Sequence, residues 1–245
     1  MPDPSSSYTG IETLQILEKA KNYNNYLTQM VKQYAPGARV LDFGAGLGTF
    51  AQRLRDDGFE VTCVEPDTLL RDRLVAARFK ALSDLESIDD NSVDFIFTFN
   101  VLEHIADDRA VVNQLAHKLK PSGSLLVYVP AFPVLWTTLD DQVKHYRRYR
   151  KRTLRNLLES ADLNVEQIRY ADSLGFVMAL VFRILRLPMS TLSANAVASY
   201  DKWLFPISRG LDRFAHRWIG KNVVALGRKK PASPPAIPDS GGITA

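Results

Sequence analysis

Short apolar runs alternate with amphipathic segments along most of the chain, starting near Arg39. Each run is rich in Val, Ile, Leu or Phe and is bounded by turn-forming residues, which is typical of buried strands in a parallel sheet. The alternation predicts an α/β fold in which helices cover both faces of the sheet. The predicted strands are residues 39–43, 60–65, 79–82, 93–99, 124–129, 164–170 and 222–226.

Helices are predicted where apolar residues recur with helical spacing. A helix over residues 12–33 precedes the sheet, and we expect it to pack over the edge of the sheet. A Pro- and Gly-containing run at 120–123 ends the third of the later helices. These later helices are predicted at 50–57, 68–77, 107–119 and 152–161.

The chain divides into a core and smaller attachments. Residues 1–36 form an N-terminal helical segment, 37–172 the core, 173–219 an apolar helical insert and 220–230 the last strand of the core. Residues 231–245 hold four prolines and no aromatic residue, so we expect a disordered tail. The most apolar part of the insert, residues 174–187, is interrupted by Arg183 and Arg186. It is shorter than the about 20 residues of a spanning helix, so no transmembrane segment is predicted.

The composition is that of a globular protein. Apolar residues make up 46% of the 245 residues and charged residues 24%, which excludes a wholly disordered chain, a coiled coil and a collagen-like repeat. Thirty-one basic against 27 acidic residues give a net charge of +4, too mild for a nucleic-acid footprint. The single cysteine, Cys63, excludes an internal disulfide and a cysteine-cluster zinc site. The N-terminus lacks the pattern of a secretory signal, so we expect a cytoplasmic protein.

Three glycines, Gly44, Gly46 and Gly48, stand where the first predicted strand turns into a helix. Glycine leaves backbone room for a ligand, and a helix N-terminus offers N–H groups, so the loop predicts a nucleotide-like cofactor. The dinucleotide fingerprint has its third glycine three residues after the second, and the shorter spacing here disfavours a nicotinamide dinucleotide. Asp42 ends the strand, where a carboxylate repels a pyrophosphate but pairs with an ammonium group. Glu65 ends the next strand and can accept both ribose hydroxyls.

An adenosine that carries a cationic amino-acid tail satisfies these features. On residues 40–50, 61–67 and 94–108, the chain resembles the class I S-adenosylmethionine-dependent methyltransferases of the bacterial small-molecule type. The resemblance implies a Rossmann-like seven-stranded sheet whose last strand is antiparallel, with S-adenosyl-L-methionine across the carboxyl ends of the strands.

The resemblance also implies the cofactor-binding residues. Asp84 and Leu85 would flank the adenine; alternatively, Asp84 is a helix N-cap. Asn100, Val101 and Leu102 would close the methionine pocket. The others are Asp42, Gly44, Ala45, Gly46 and Gly48 at the methionine part, Glu65 at the ribose, and Pro66 and Asp67 at the border of the adenine.

Two histidines follow predicted strands and are candidates for a catalytic base, His104 and His145. A base assists methyl transfer to a hydroxyl by removing its proton. The run at 99–105 resembles a family motif in which the histidine borders the methyl-donor site; alternatively, His104 caps the loop and Glu103 fixes its tautomer. In some relatives a Glu at the position of Asn100 forms a divalent-metal site with Glu103 and His104. The amide in this chain therefore leads us to expect no metal.

The positive charge is concentrated after the fifth predicted strand, where six of the nine residues 144–152 are Lys or Arg. Together with His145, the residues Tyr146, Arg147 and Arg148 are candidates for binding a carboxylate, phosphate or phenolate of the substrate. Alternatively, the run is a solvated basic turn. Its H-Y-R-R-Y sequence resembles a bacterial subgroup of these methyltransferases. Interleaved Tyr and Arg also suit RNA, but one short run is a thin footprint, so we expect no nucleic-acid partner.

These features predict an S-adenosylmethionine-dependent methyltransferase that acts on a small-molecule acceptor, at oxygen rather than at nitrogen or carbon. The apolar insert leaves four explanations open: lid packing on the core, a cover for an apolar acceptor, a helix at a membrane surface with Arg183 and Arg186 at the headgroups, and a homodimer interface. A lipid or isoprenoid methyltransferase at the membrane and a noncatalytic S-adenosylmethionine-binding subunit therefore stay as alternatives.

Overall fold

The computed structural model describes residues 11–185 and 193–231, and within them seven strands form a single sheet. Of the predicted tail, only Pro231 is among the described residues. Arg186 also lies outside them. The strands are β1 (Arg39–Phe43), β2 (Glu60–Val64), β3 (Lys80–Leu82), β4 (Val93–Phe99), β5 (Leu119–Pro130), β6 (Leu163–Ala171) and β7 (Asn222–Lys229).

The strand order is β3-β2-β1-β4-β5-β7-β6. β7 runs antiparallel to both β5 and β6, and the other neighbouring pairs are parallel. This confirms the predicted seven-stranded sheet with an antiparallel last strand. The chain steps outward from β1 to β3 and then returns to β4 on the other side of β1. Ligands of open α/β sheets bind at such a reversal, beyond the carboxyl ends of the strands.

Helices cover both faces of the sheet, as the pattern predicted. The helices in the described ranges are α1 (Ile11–Glu18), α2 (Lys21–Tyr34), α3 (Thr49–Asp56), α4 (Thr68–Ala76), α5 (Asp108–Lys118), α6 (Thr138–Gln142), α7 (Lys151–Glu159), α8 (Ser173–Ile184), α9 (Ala194–Ser199) and α10 (Phe205–Ala215). One face is packed by apolar side chains of α2, α3 and α4, and the other by those of α5 and α7.

The prediction of one continuous helix over 12–33 was wrong, because the segment is broken between α1 and α2. The side-chain amide of Asn24 donates to the carbonyl oxygens of Leu17 and Glu18 at 3.0 and 3.1 Å. A continuing helix would need those carbonyls for its own backbone bonds. The expected position at the sheet edge was also wrong: α2 lies on a face of the sheet, where Leu27 and Val31 are fully buried.

The expected boundary before β5 was also inaccurate. The helix ends at Lys118, and β5 already begins at Leu119, which pairs with Val93. Regular pairing resumes at Ser124 opposite Phe95, after an irregularity in the register. The Pro- and Gly-containing run thus faces Asp94 alone and forms a bulge, in which Ser122 has a positive φ.

The insert is a folded helical layer attached to the end of β6. It comprises α8, α9, a π-helical turn at Tyr200–Leu204, and α10. The Asp212 carboxylate accepts the backbone N–H groups of Asp172 and Ser173, each at 2.8 Å, and the Asp172 carboxylate accepts the Ser208 hydroxyl at 2.8 Å. These buried contacts fix α8 and α10 to the core. Within the described ranges, no helix combines the length and the apolar character that crossing a bilayer requires.

Candidate active site

The glycine loop joins β1 to α3 at the carboxyl edge of the sheet. Gly44, Gly46 and Gly48 all have positive φ, the left-handed region that favours glycine. A Cβ on Gly44 would lie 2.4 Å from Cγ2 of Val101, so the loop is in close contact with the residues after β4. A Cβ on Gly46 would lie 3.4 Å from Leu14 of α1, which therefore covers the loop. No local sequence signal indicates this contact between α1 and the loop.

Asp42 lies at the end of β1 beneath the loop and is 2% exposed. Burial, together with the nearby Glu65 carboxylate, raises the pKa of Asp42 well above its ordinary value. Its Oδ2 atom has no hydrogen-bond partner among the described residues. A buried carboxylate oxygen without a partner is costly unless a ligand satisfies it. An ammonium group satisfies it in charge and in hydrogen bonding, so this carboxylate fits the amino-acid end of S-adenosylmethionine.

Glu65 follows β2 and connects it to the glycine loop. Its two carboxylate oxygens accept the backbone N–H groups of Gly46 at 2.8 Å and Asp67 at 3.0 Å. Burial raises the pKa of Glu65, although these two hydrogen bonds oppose the rise. Each carboxylate oxygen can accept more than one hydrogen bond, so the group fits a ribose diol as the sequence predicts. Pro66 is exposed beside it, and the Asp67 side chain caps α4 by accepting the N–H of Leu70 at 3.0 Å.

Asp84 and Leu85 follow β3 and differ in exposure. Leu85 is buried in the core, whereas Asp84 is exposed. The Asp84 carboxylate accepts the Ser83 hydroxyl at 2.7 Å and the Glu86 N–H at 2.8 Å, and these hydrogen bonds lower its pKa. The alternative of a helix N-cap was wrong, because a turn follows Asp84 and no helix begins there. Their roles at the adenine stay predictions.

Asn100, Val101 and Leu102 lie directly after β4, beside the glycine loop. Asn100 has a φ of +54°, and its side-chain amide donates to the Tyr23 hydroxyl at 3.0 Å. Leu102 is fully buried. Tyr23 comes from α2, and the helical pattern identified it only as a packing residue. The structure thus adds Tyr23 to this edge of the site, and no local sequence signal distinguishes it from the other apolar positions of the helix.

The two candidate histidines lie together. Their ring centroids are 4.5 Å apart in an edge-to-face arrangement. Nδ1 of His104 lies 2.9 Å from the carbonyl oxygen of Val143, so the backbone fixes its tautomer rather than Glu103, contrary to the alternative considered above. Burial, with a smaller contribution from His145, lowers the pKa of His104 to about 4. His104 is therefore an uncharged imidazole near neutral pH.

His145 is held by a carboxylate. Its Nδ1 lies 2.8 Å from Oδ1 of Asp140, five residues earlier. The Arg148 guanidinium donates to both oxygens of the same carboxylate, each at 2.8 Å. Burial raises the pKa of Asp140, but the hydrogen bonds from His145 and Arg148 outweigh it and hold the pKa well below its usual range. With a permanently ionised acceptor at Nδ1, neutral His145 carries its proton there and presents a basic Nε2.

Glu103 completes a cluster with the two histidines. The possible ligand atoms of Glu103, His104 and His145 all lie within 4.8 Å of one another. Glu103 is 1% exposed, its Oε2 lacks a hydrogen-bond partner among the described residues, and burial raises its pKa to about 8. One carboxylate and two imidazoles are a donor set that suits zinc better than magnesium. Asn100 instead bonds Tyr23, and the absence of a metal stays a prediction.

The basic segment after β5 makes mainly internal contacts. Arg147 forms an ion pair with Asp108 and donates to the carbonyl oxygen of Ala106, while Arg148 is paired with Asp140. Tyr146 is 60% exposed, and its backbone N–H donates to the carbonyl oxygen of Glu103 at 2.7 Å, which ties the segment to the end of β4. These contacts favour a supporting role for both arginines. Substrate binding by Tyr146, Arg147 and Arg148 stays a prediction.

The site combines a glycine loop, the buried Asp42 carboxylate and the Glu65 carboxylate, at the point where the strand order reverses. This combination is typical of the class I S-adenosylmethionine-dependent methyltransferases. The chain belongs to the methyltransferase-domain family, whose model matches residues 4–168. The matched residues therefore form a methyltransferase domain.

The chain is similar in sequence to a curated methyltransferase over part of its length. Ubiquinone biosynthesis O-methyltransferase of Xylella fastidiosa is 37% identical over 101 residues, which cover 37% of this chain and 41% of that protein. The chain thus spans less than half the length of this curated relative.

Two solved structures share the fold. A complex of the Haloferax volcanii Trm112 methyltransferase activator with a methyltransferase has a TM-score of 0.61 at 17% identity, over 94% of this chain and 100% of that one. Haemonchus contortus phosphoethanolamine N-methyltransferase 2 with S-adenosyl-L-methionine has a TM-score of 0.56 at 19% identity, over 84% and 52% of the chains.

Proposed function

We propose that the protein transfers a methyl group to an oxygen atom of a small-molecule acceptor and that His145 is the general base. The observation that carries this proposal is the hydrogen bond between Asp140 and His145, beside His104 and the end of β4. Such a pair holds an imidazole in one tautomer and stabilises its charged form once it takes up a proton. A base of this kind is useful for a hydroxyl, which must lose its proton during methyl transfer.

The cofactor residues have distinct tasks in this proposal. Asp42 binds the ammonium group of S-adenosylmethionine, and Glu65 binds its ribose. The glycine loop lets the cofactor lie close to the backbone, because glycine carries no side chain of its own. When bound, S-adenosylmethionine supplies an electrophilic methyl group on a sulfonium.

Of the two histidines, His145 is better suited to the base role. It accepts the hydroxyl proton on Nε2 while the ionised Asp140 stabilises the imidazolium through Nδ1. Nδ1 of His104 lies against a backbone carbonyl rather than a carboxylate, and burial lowers its pKa to about 4, so it is a weak base. His104 therefore confines the imidazole of His145, and Arg148 keeps Asp140 ionised.

Oxygen as the acceptor atom is also supported by similarity, since the relative from Xylella fastidiosa is named for an O-methyltransferase activity. A lipid or isoprenoid acceptor at a membrane is the second candidate, because α8 and α10 expose apolar side chains. A cytoplasmic location, at the membrane surface in the second case, belongs to the same proposal.

The test separates cofactor binding from turnover. We expect His145→Asn to lower methyl transfer to a panel of phenols by about 100-fold or more, with calorimetric binding of S-adenosylhomocysteine unchanged. His117→Asn, on the exposed side of α5, is the matched control. Equal activity of His145→Asn and the parent protein, or transfer to amines alone, would contradict the proposal. Cofactor binding without turnover of any phenol or lipid would favour the noncatalytic alternative.

A further inference from the structure

Two helices of the insert, α8 and α10, pack against each other and leave apolar side chains in solvent. Phe214 is 78% exposed and Trp218 68%, although large aromatic side chains are usually covered. The exposed row of α10 and the turn after it is Ile207, Leu211, Phe214 and Trp218, whose spacing places them on one helical face. The row of α8 is Val177, Val181, Ile184 and Leu185. Grouped exposure of this kind marks an interaction surface.

In the described part of the insert, residues 173–185 and 193–219, the exposed charges are all basic. Arg209, Arg213 and Arg217 recur every four residues and form a second row along α10 and the turn after it. The Arg209 guanidinium also stacks on the Tyr26 ring of α2, so Arg213 and Arg217 are the members of this row that face away from the core. The two acids of the insert, Asp201 and Asp212, are only 4% and 5% exposed, and both accept backbone N–H groups. An apolar row beside a basic row is the pattern of a helix that lies in a membrane interface.

We propose that the exposed apolar and basic rows of α8 and α10 dock on a monolayer that contains anionic lipids. The apolar side chains enter the interface, and the arginines bind the negatively charged headgroups. A second copy of the chain is a poorer partner. A symmetric dimer through the same surface would bring two arginine rows into one interface without exposed acids of the insert to neutralise them. The inference goes beyond methyl transfer and does not depend on it.

The docking surface adjoins the segment that carries the proposed base. The guanidinium of Arg183, on α8, donates to the carbonyl oxygen of Trp136 at 2.9 Å. Trp136 lies just before α6, the helix that contains Asp140. Lys151, at the start of α7, donates to the carbonyl oxygen of Arg217. A membrane bound at α8 and α10 therefore lies next to the loop that holds His145, which favours an acceptor delivered from the lipid phase.

Vesicle co-sedimentation of the full chain tests the inference. We expect binding to phosphatidylcholine vesicles that contain phosphatidylglycerol, and much weaker binding to pure phosphatidylcholine. The double variant Phe214→Ser/Trp218→Ser should weaken binding by about tenfold or more. Arg213→Glu/Arg217→Glu should weaken binding to the anionic vesicles and remove most of its salt dependence.

Matched controls change equally exposed residues elsewhere. Leu69→Ser/Val75→Ser alters exposed apolar residues of α4, and Arg73→Glu/Arg109→Glu alters exposed basic residues of α4 and α5. S-adenosylhomocysteine binding by every variant reports that the fold is intact, and methyl transfer is measured separately.

Absence of vesicle binding would overturn the inference, as would equal losses in the control variants. It would also be overturned if light scattering showed a dimer that Phe214→Ser/Trp218→Ser dissociates, because the surface would then be a contact between copies.

Discussion

Oδ1 of Asp140 and Nδ1 of His145 are joined by a hydrogen bond of 2.8 Å, and the same carboxylate is held by Arg148 and Thr137. Asp140 is 1% exposed, so its charge is compensated entirely by these neighbours. This arrangement makes Asp140 a positioning residue for the proposed base.

We predict that Asp140→Asn lowers kcat by about 100-fold or more and leaves S-adenosylhomocysteine affinity unchanged, because the amide no longer supplies the charge that stabilises an imidazolium. Asp140→Glu should restore part of kcat. Asp141→Asn, which alters the adjacent exposed acid, is the control. A parallel loss of cofactor affinity and thermal stability in Asp140→Asn, without recovery in Asp140→Glu, would instead indicate a purely structural role.

We expect the affinity for S-adenosylhomocysteine to increase as the pH rises above the ordinary pKa of an aspartate. The pKa of Asp42 is raised in the protein without ligand, and an ammonium group binds only the ionised carboxylate, so binding requires loss of a proton. Calorimetry at several pH values should show this increase, and Asp42→Asn should bind at least about tenfold more weakly with a flatter pH dependence. If the affinity of Asp42→Asn depended on pH as steeply as that of the parent protein, the prediction would be wrong. Asp72→Asn, which changes an exposed residue of α4, is the control.

Gly44→Ala should destabilise the protein more than Gly58→Ala. Both glycines have positive φ, but an added Cβ meets Val101 at Gly44 and nothing within 4 Å at Gly58. The backbone cost is roughly 1–3 kcal/mol in each case, and only Gly44→Ala adds a steric clash. In a Val101→Ala background, Gly44→Ala should lower the free energy of unfolding only about as much as Gly58→Ala does, as measured by urea unfolding. Equal effects at both glycines would contradict the observed contact.

We predict that Glu103→Gln becomes increasingly more stable than the parent protein as pH rises. The folded-state pKa of Glu103 is raised to about 8 by burial, so between its ordinary value of 4.5 and 8 the folded state retains a proton that the unfolded state has lost. The free energy of unfolding of the parent therefore falls across this range, on the order of 1 kcal/mol per pH unit from this group. Denaturant unfolding at several pH values measures it. Glu86→Gln, which is exposed, should show no such trend.

Methyl transfer should survive dialysis against EDTA. The amide of Asn100 bonds Tyr23, and Glu103 keeps its proton up to a pH of about 8, which disfavours any metal ion because a carboxyl group must lose its proton to become a ligand. Assays before and after dialysis, with Mg²⁺ or Zn²⁺ added back, measure the dependence. Activity that is lost on dialysis and restored by one of these ions would show that Glu103, His104 and His145 form a metal site.

The sequence by itself determined the sheet and the class of cofactor. β1 and β4 begin and end as predicted, because each is a short, mostly apolar run whose consecutive residues are buried on both faces of the sheet. The glycine loop was predictable for a similar reason, since the need for positive φ is a local property of the backbone. Asp42 and Glu65 could be identified because the carboxyl ends of neighbouring parallel strands meet at one edge of the sheet.

Only the tertiary structure decided which polar side chains contact one another. Tyr23 reaches Asn100 across 77 positions, and Asp201 caps α2 from 179 positions away, distances over which periodicity carries no information. The same limit applies within the basic segment, where Arg148 is largely buried by its pairing with Asp140 and the half-exposed Arg147 pairs with Asp108. Hydrogen bonds and ion pairs depend on the position and direction of individual atoms, and these are set by packing rather than by the order of residues.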